Sequence, residues 1–589
     1  MNFRGSLTRK NTIIGASILL VGLIVAGFLV LRRPPRVAME RYIPANALAY
    51  VEIDSLAALV DGLTSTRAWR ELAPVLGLSS QLQQIGLITD LVGRSGFGPD
   101  EAVVAGRAQI AIAITGIESE AGKTDEGPYL HLRPSFALII ETHISPDSAA
   151  RLVRDRSALI AQRIYGESVV EHADEYREAQ VRIFEGPGPG HQLVASSKGS
   201  TILIANRLDA MKQCFDAMSG GTATLAEDAT LKRMRLEVGR NPSVFGYVTA
   251  SGIEKLVDLW PLLIAGSSAE PETVGTFGDL IEHLSKQAGA GLLYSSEFEG
   301  EGVTEEYLTV LRPQIAEALA QPLRSASATT FESLALIPRD VESLTLIDVE
   351  NPAELPERVF KQLSPAVDIV AGVALREFVI NLKKQYGLEP AEMVGDAVGG
   401  EMALINFGDD QPRTMLIRVN DKSRLTPMVR NYVTRRATSP TNEQYNETEI
   451  LASPDGDRHA AFVGNFLVLG TRDQIVRVIE TNAKRDGLEG DERLRRTLKS
   501  RPANAAIVHY RVRVEDAGKL VLAISKLTRV TDGSPELLDR DSARNALDHI
   551  PRTISYTEFR DYGIYMQTHS AVGSLSLIAG AMRTDPDEE

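Results

Sequence analysis

Six stretches of this chain recur later in the same order, and this constrains its fold more than any other feature. IPANALAYVEIDSL (43–56) is matched by IPRDVESLTLIDVE (337–350): an Ile-Pro, a short spacer, then a strand-like alternation. PDEAVVAGRAQIAIAI (99–114) is matched by PAEMVGDAVGGEMALI (390–405), and FALIIETHISPDSAARLVRD (136–155) by TMLIRVNDKSRLTPMVRN (414–431). KGSTILIANRLDAMKQCFDAM (198–218) answers to VGNFLVLGTRDQIVRVIETN (463–482), and LAEDATLKRMRLEVGRNPSVFGYV (225–248) to LEGDERLRRTLKSRPANAAIVHY (488–510). Finally YSSEFEGEGVTEEYLTV (294–310) answers to YTEFRDYGIYMQTHSAV (556–572), where Glu297, Phe298 and Gly302 stand 261 residues before Glu558, Phe559 and Gly563. Ordered self-similarity of this kind marks a duplicated structural unit.

The first unit is predicted over 37–320 and the second over 336–584, with a small, polar junction at 321–335 and an acidic tail at 585–589. Short runs such as LAYVEID and ILIAN have strand character, whereas SPAVDIVAGVALREFVINLKKQYG carries its apolar residues at helical spacing. Strict strand–helix alternation is absent. The expected fold class is therefore α+β, with two tandemly duplicated domains of mostly antiparallel sheet and packed helices.

Ahead of these units, residues 12–31 (TIIGASILLVGLIVAGFLVL) contain no charge, and twenty residues at helical rise span about 30 Å, the thickness of a bilayer core. The prediction is a single uncleaved transmembrane helix at 12–31. The head, 1–11, would be cytoplasmic and the body extracytoplasmic, in a single-pass protein of a bacterial inner membrane facing the periplasm. The formal net charge is -15, although residues 1–36 hold six basic residues and no acidic one. A body that acidic repels phosphate backbones and excludes nucleic acid as a partner.

The strand entry IPANALAYVEID after a single anchor, the LAEDATLKRM helix and the aromatic-bearing strand beyond it resemble an uncharacterised bacterial membrane-anchored family. That family is the domain of unknown function of the thirty-three fifty-two type. The resemblance covers most of the body, implies an envelope protein and transfers no activity or catalytic residue.

Chemical motifs are sparse. Cys214 is the only cysteine, which excludes an internal disulfide, and LDAMKQCFDAM places it among the apolar positions of a helix. There is no phosphate loop, nucleophile elbow, GxGxxG opening a helix or HExxH pair. GPGPGH (186–191) is glycine-rich, but Pro187 and Pro189 have no N–H for a phosphate, so a connection between strands is expected. His191 is left as a conceivable ligand. PDGD (454–457) resembles a calcium loop, but counting from Asp455 puts His459 at the fifth position and Phe466 at the twelfth, where a Glu is needed. Asp409-Asp410 and Glu305-Glu306 are adjacent carboxylates that point apart on a strand.

No catalytic, cofactor-binding or metal residue is predicted, and the protein is not expected to be an enzyme. The expected function is a non-enzymatic binding or scaffold protein, anchored through 12–31, whose partner is an envelope protein or a lipid. The alternatives are a lipid or lipoprotein carrier or chaperone at the membrane surface, and an envelope hydrolase whose site is invisible in sequence.

Overall fold

The computed structural model describes residues 36–78, 104–265, 289–367 and 395–574, apart from short breaks within these ranges. In the first unit the strands are β1 (Ala49–Ile53), β2 (Gln109–Thr124), β3 (Gly127–Glu141), β4 (Val170–Tyr176), β5 (Ala179–Glu185), β6 (Gln192–Lys198), β7 (Thr201–Ala205), β8 (Val244–Thr249), β9 (Gly289–Glu299) and β10 (Gly302–Leu311). In the second they are β11 (Ser343–Asp348), β12 (Val398–Asn406), β13 (Thr414–Val419), β14 (Thr441–Tyr445), β15 (Thr448–Ala452), β16 (His459–Val463), β17 (Phe466–Gly470), β18 (Ala505–Arg511), β19 (Thr553–Arg560) and β20 (Gly563–Ser570).

Local chemistry explains the turns. β4–β5 and β14–β15 are tight hairpins whose paired turn residues, Arg177-Glu178 and Asn446-Glu447, all have positive φ, the twist that two-residue hairpins prefer. Gly199 and Gly464 turn β6 into β7 and β16 into β17 at φ 60° and 56°, where a side chain would be strained.

Hydrogen-bonded neighbours run β4-β5-β6-β7-β3-β2-β1-β8-β9-β10 in the first unit and β20-β19-β18-β11-β12-β13-β17-β16-β15-β14 in the second. β10 pairs antiparallel with β20, from Val303–Ser570 to Val310–Gly563. This overturns the expectation of two separate domains: the described residues form one continuous antiparallel sheet of 20 strands. The physical reason is that β10 and β20 are the same strand in two copies, and an edge that satisfies its backbone against its own equivalent leaves neither exposed.

The spacing of 261 locates the symmetry. Glu306 pairs directly with Gln567, its own counterpart, so a pseudo-twofold axis passes through that pair. Gly302 and Gly563 are likewise equivalent, and a Cβ on either would strike the facing carbonyl oxygen, of Ser570 and of Thr309 respectively.

One face of the sheet carries two apolar cores, one around Tyr50, Leu203, Phe215 and Phe245, the other around Leu346, Leu416, Val468 and Tyr556. On the opposite face helices cross the seam: Trp69 and Leu72 of the helix Arg67–Val75 pack against Leu520, Val521 and Ala546 of the second unit. The two units thus share a sheet and a core.

The expected single-pass membrane topology is corrected as well. Among the described residues no helix is long and apolar enough to cross a membrane. The longest, Pro146–Tyr165, carries Asp147, Arg151, Arg154, Asp155, Arg156 and Arg163 and lays one apolar stripe, Ala149 and Val153, on Ile202. The segment 12–31 lies outside the described residues, as do the head and the acidic tail.

Candidate functional site

Strands alternate their side chains between faces, and in β1–β3 the core face is filled by Tyr50, Ala111, Ala113, Ala137 and Ile139. The opposite face therefore takes Val51, Ile110, Ile112, Ile114, Phe136 and Leu138. Val51 sits opposite Ile112, Ile112 opposite Leu138, and Ile114 opposite Phe136. Val51, Ile112 and Phe136 remain 41%, 42% and 38% exposed, and Leu132, on the same face of β3 beyond Pro134, 39%. These four make one apolar strip. Every other exposed large hydrophobic among the described residues also lies in the first unit. In the second unit the register puts Thr345 where Val51 stands and a partly buried Leu404 where Ile112 stands.

The strip runs onto an arm that the second unit lacks. β2 and β3 have 16 and 15 residues, their counterparts β12 and β13 only 9 and 6. β1 covers β2 only from Ile110 to Ile114, and β7 covers β3 only from Ala137 to Glu141. Past the irregularity at Thr115, Gly116–Thr124 and Gly127–Ser135 pair, among the described residues, with each other alone. Arg207 braces the arm from the core side, donating to both carboxylate oxygens of Glu118 at 2.7 and 2.8 Å.

A second feature, a cavity of about 240 Å³, opens at the far end of β1 among Arg36, Glu40, Glu52, Asp54, Gln109 and Arg235. Its charges are engaged with one another. Arg36 pairs with Asp54 and Arg235 with Glu52, while Arg235 also donates to Tyr50 Oη at 3.1 Å and lies 3.4 Å from Glu40 Oε2. Burial raises the Glu52 carboxyl above the usual range, and Arg235 opposes that shift. In the second unit the equivalent of Asp54 is Asp348, sealed inside by Arg501 at 2.7 Å and Ser325 at 2.8 Å.

The residues singled out in the sequence do not converge. GPGPGH joins β5 to β6, closed by Gly186 N–H to His191 C=O at 2.8 Å, and the His191 ring stacks on Tyr165 at 5.5 Å. Glu305 and Glu306 face opposite sides of the sheet. Glu305 accepts from Tyr294 Oη and Ser574 N–H, both at 2.7 Å, whereas Glu306 accepts from Gly239 N–H, Tyr565 Oη and Gln567 Nε2. Both reach across the seam to the second unit. His459 lies in β16 and Phe466 opens β17, while Asp455, Asp409 and Asp410 lie outside the described residues. No group of three metal-binding side chains occurs among the described residues.

Cys214 is buried in the first core, and burial pushes its thiol up to about 12. Iodoacetamide is therefore expected to leave the native chain unlabelled at neutral pH and to label it after unfolding. An unfolded thiol ionises near 8.5, so this residue's contribution is complete below about pH 8.5 and is lost as pH rises toward 12. Denaturation midpoints of wild type and Cys214→Ala measured across that window check the sign.

The strip was missed because IAIAI and FALII are apolar at every position, the pattern of a strand buried on both faces. Comparing the copies residue by residue, Val51 against Thr345, was the available signal. No family model, no curated protein and no solved structure matches this chain.

Proposed function

We propose that this protein is a non-enzymatic binding or scaffold protein whose partner docks on the outer face of β1–β3 in the first unit. One observation carries the reading: four of the eight exposed large apolar side chains form a strip on one copy of a duplicated sheet, and among the described residues the other copy exposes none. Folded proteins rarely leave contiguous apolar surface uncovered unless something binds there. Polar residues can occupy this position without loss of the fold, since Thr345 does so in the second unit. The strip is thus a specialisation of one copy.

The test places a photo-crosslinking phenylalanine analogue at Ile112 in one chain and at Leu404 in another. Capture of a protein from Ile112 and not from Leu404, abolished by adding Val51→Asp, is the expected outcome. Equal capture from both positions would reject the strip, and capture of lipid alone would replace this reading with a lipid carrier.

A further inference from the structure

We infer that the partner binds as an extended strand added to the free edge of β2 in the arm, over Ile117–Lys123, with basic residues flanking an alternating apolar stretch. The inference rests on the binding reading above and specifies its partner. Leu48 N–H donates to Ile114 C=O at 2.8 Å, the last rung between the β1 side and β2. On the far edge of the ribbon, Asn206 accepts from Phe136 N–H at 2.8 Å and donates to Pro134 C=O at 2.7 Å. Pro134 and Phe136 therefore direct their backbones away from β2. In an antiparallel pair the residues opposite them must do the same. Ile117 faces Pro134 and Ser119 faces Leu132, so Ile117 and Ser119 turn their N–H and C=O groups outward on the β1 side. Among the described residues nothing hydrogen-bonds to those groups.

The two edges of the ribbon are not alike. The β3 edge is blunted by Asn206 and by Pro134 and Pro128, which have no N–H, a common way to protect an edge. β2 has no proline and, among the described residues, stays open in line with β1, so an added strand would continue the sheet. A two-stranded ribbon is marginal in water, and a third strand is what it lacks. The outermost strands β4 and β14 are poorer templates; VEHADEY is exposed almost throughout and carries three carboxylates.

Charge selects the occupant. The sequence 116–135 has Glu118, Glu120, Asp125 and Glu126 against Lys123 and Arg133, and with Arg207 paired to Glu118 its balance is still negative, on a chain of net charge -15. A basic-flanked strand is attracted and an acidic one repelled. On the outer face its alternate apolar side chains would lie beside Ile117 and Ser119, in the rows that continue on β3 to Pro134 and Leu132.

The probe is a peptide of alternating valine and threonine with two lysines at each end, added to the full-length chain, and a copy with glutamates in place of the lysines. Binding is followed by fluorescence anisotropy and by amide hydrogen exchange. The lysine peptide is expected to slow exchange at Ile117 and Ser119, and the glutamate peptide to bind at least tenfold more weakly. Ile117→Pro removes an outward N–H and fixes φ, a change an edge strand tolerates, and is expected to weaken binding at least tenfold, with Ile117→Val unchanged. Should the proline chain fail to fold, Ser119→Pro carries the same comparison. Equal binding to the proline and valine variants would overturn the inference. So would protection on Val170–Tyr176, or amides of Ile117 and Ser119 already protected in the free chain by its own residues 12–31. Loss of binding with Val51→Asp but not with Ile117→Pro leaves the docking face standing and removes only the added strand.

Discussion

Gly563→Val is expected to lower the unfolding free energy by about 2–6 kcal/mol, the joint cost of a forced backbone conformation and of overpacking. Gly563 has φ 151°, which side chains rarely adopt, and a Cβ there meets the Thr309 carbonyl oxygen across the seam. Neither neighbour can retreat, because Thr309 is held in the β10–β20 ladder. Gly302→Val makes the equivalent collision with Ser570 C=O and is expected to cost about 1–3 kcal/mol, through overpacking alone. The double variant should fall short of the sum, since both substitutions disrupt one interface. Urea denaturation of the full chain measures all three. A loss below about 0.5 kcal/mol for Gly563→Val, the range of ordinary surface substitutions, would contradict the joined sheet.

Arg501→Ala is the second large effect, expected at about 3–5 kcal/mol because it strands a buried carboxylate. The Arg501 and Asp348 side chains are only 7% and 2% exposed. The guanidinium also donates to Ser325 Oγ at 2.7 Å and lies 4.9 Å from the Phe331 ring. Its replacement therefore removes an ion pair, a hydrogen bond and a stacking contact together. The matching position of the first unit supplies the control. Arg36 pairs with Asp54 at 46% exposure, so Arg36→Ala should cost no more than about 1 kcal/mol. Thermal unfolding of the two variants side by side decides it; comparable losses would mean that the first-unit cavity is as closed as its counterpart.

The equivalence of the two copies was readable strand by strand. IPANALAYVEID and IPRDVESLTLID each lead into a central strand, and Leu225 N–H and Leu488 N–H donate to Ile43 C=O and Ile337 C=O at 3.0 and 2.9 Å. What could not be read was how the copies meet. Strand joining is decided by backbone groups at an edge, and VTEEYLTVL looks the same whether its edge faces water or another strand. The apolar strip was hidden for a related reason: Ile112 in QIAIAI carries no mark of which face water reaches. The arm left a trace only as extra length between matched blocks.

The pseudo-twofold pair Glu306–Gln567 bears on how such a chain comes to exist. Two separate copies of one unit, associating through the same edge, would have to place a residue opposite itself: two carboxylates in contact, or two amides. A single polypeptide escapes that restriction, and here Gln567 donates to Glu306 at 3.2 Å, a complementary contact that identical subunits cannot make. Gene fusion thus did more than hold two halves together. It let one half of the molecule change independently of the other, and an arm carried by one copy of an otherwise paired architecture is the form that such divergence takes.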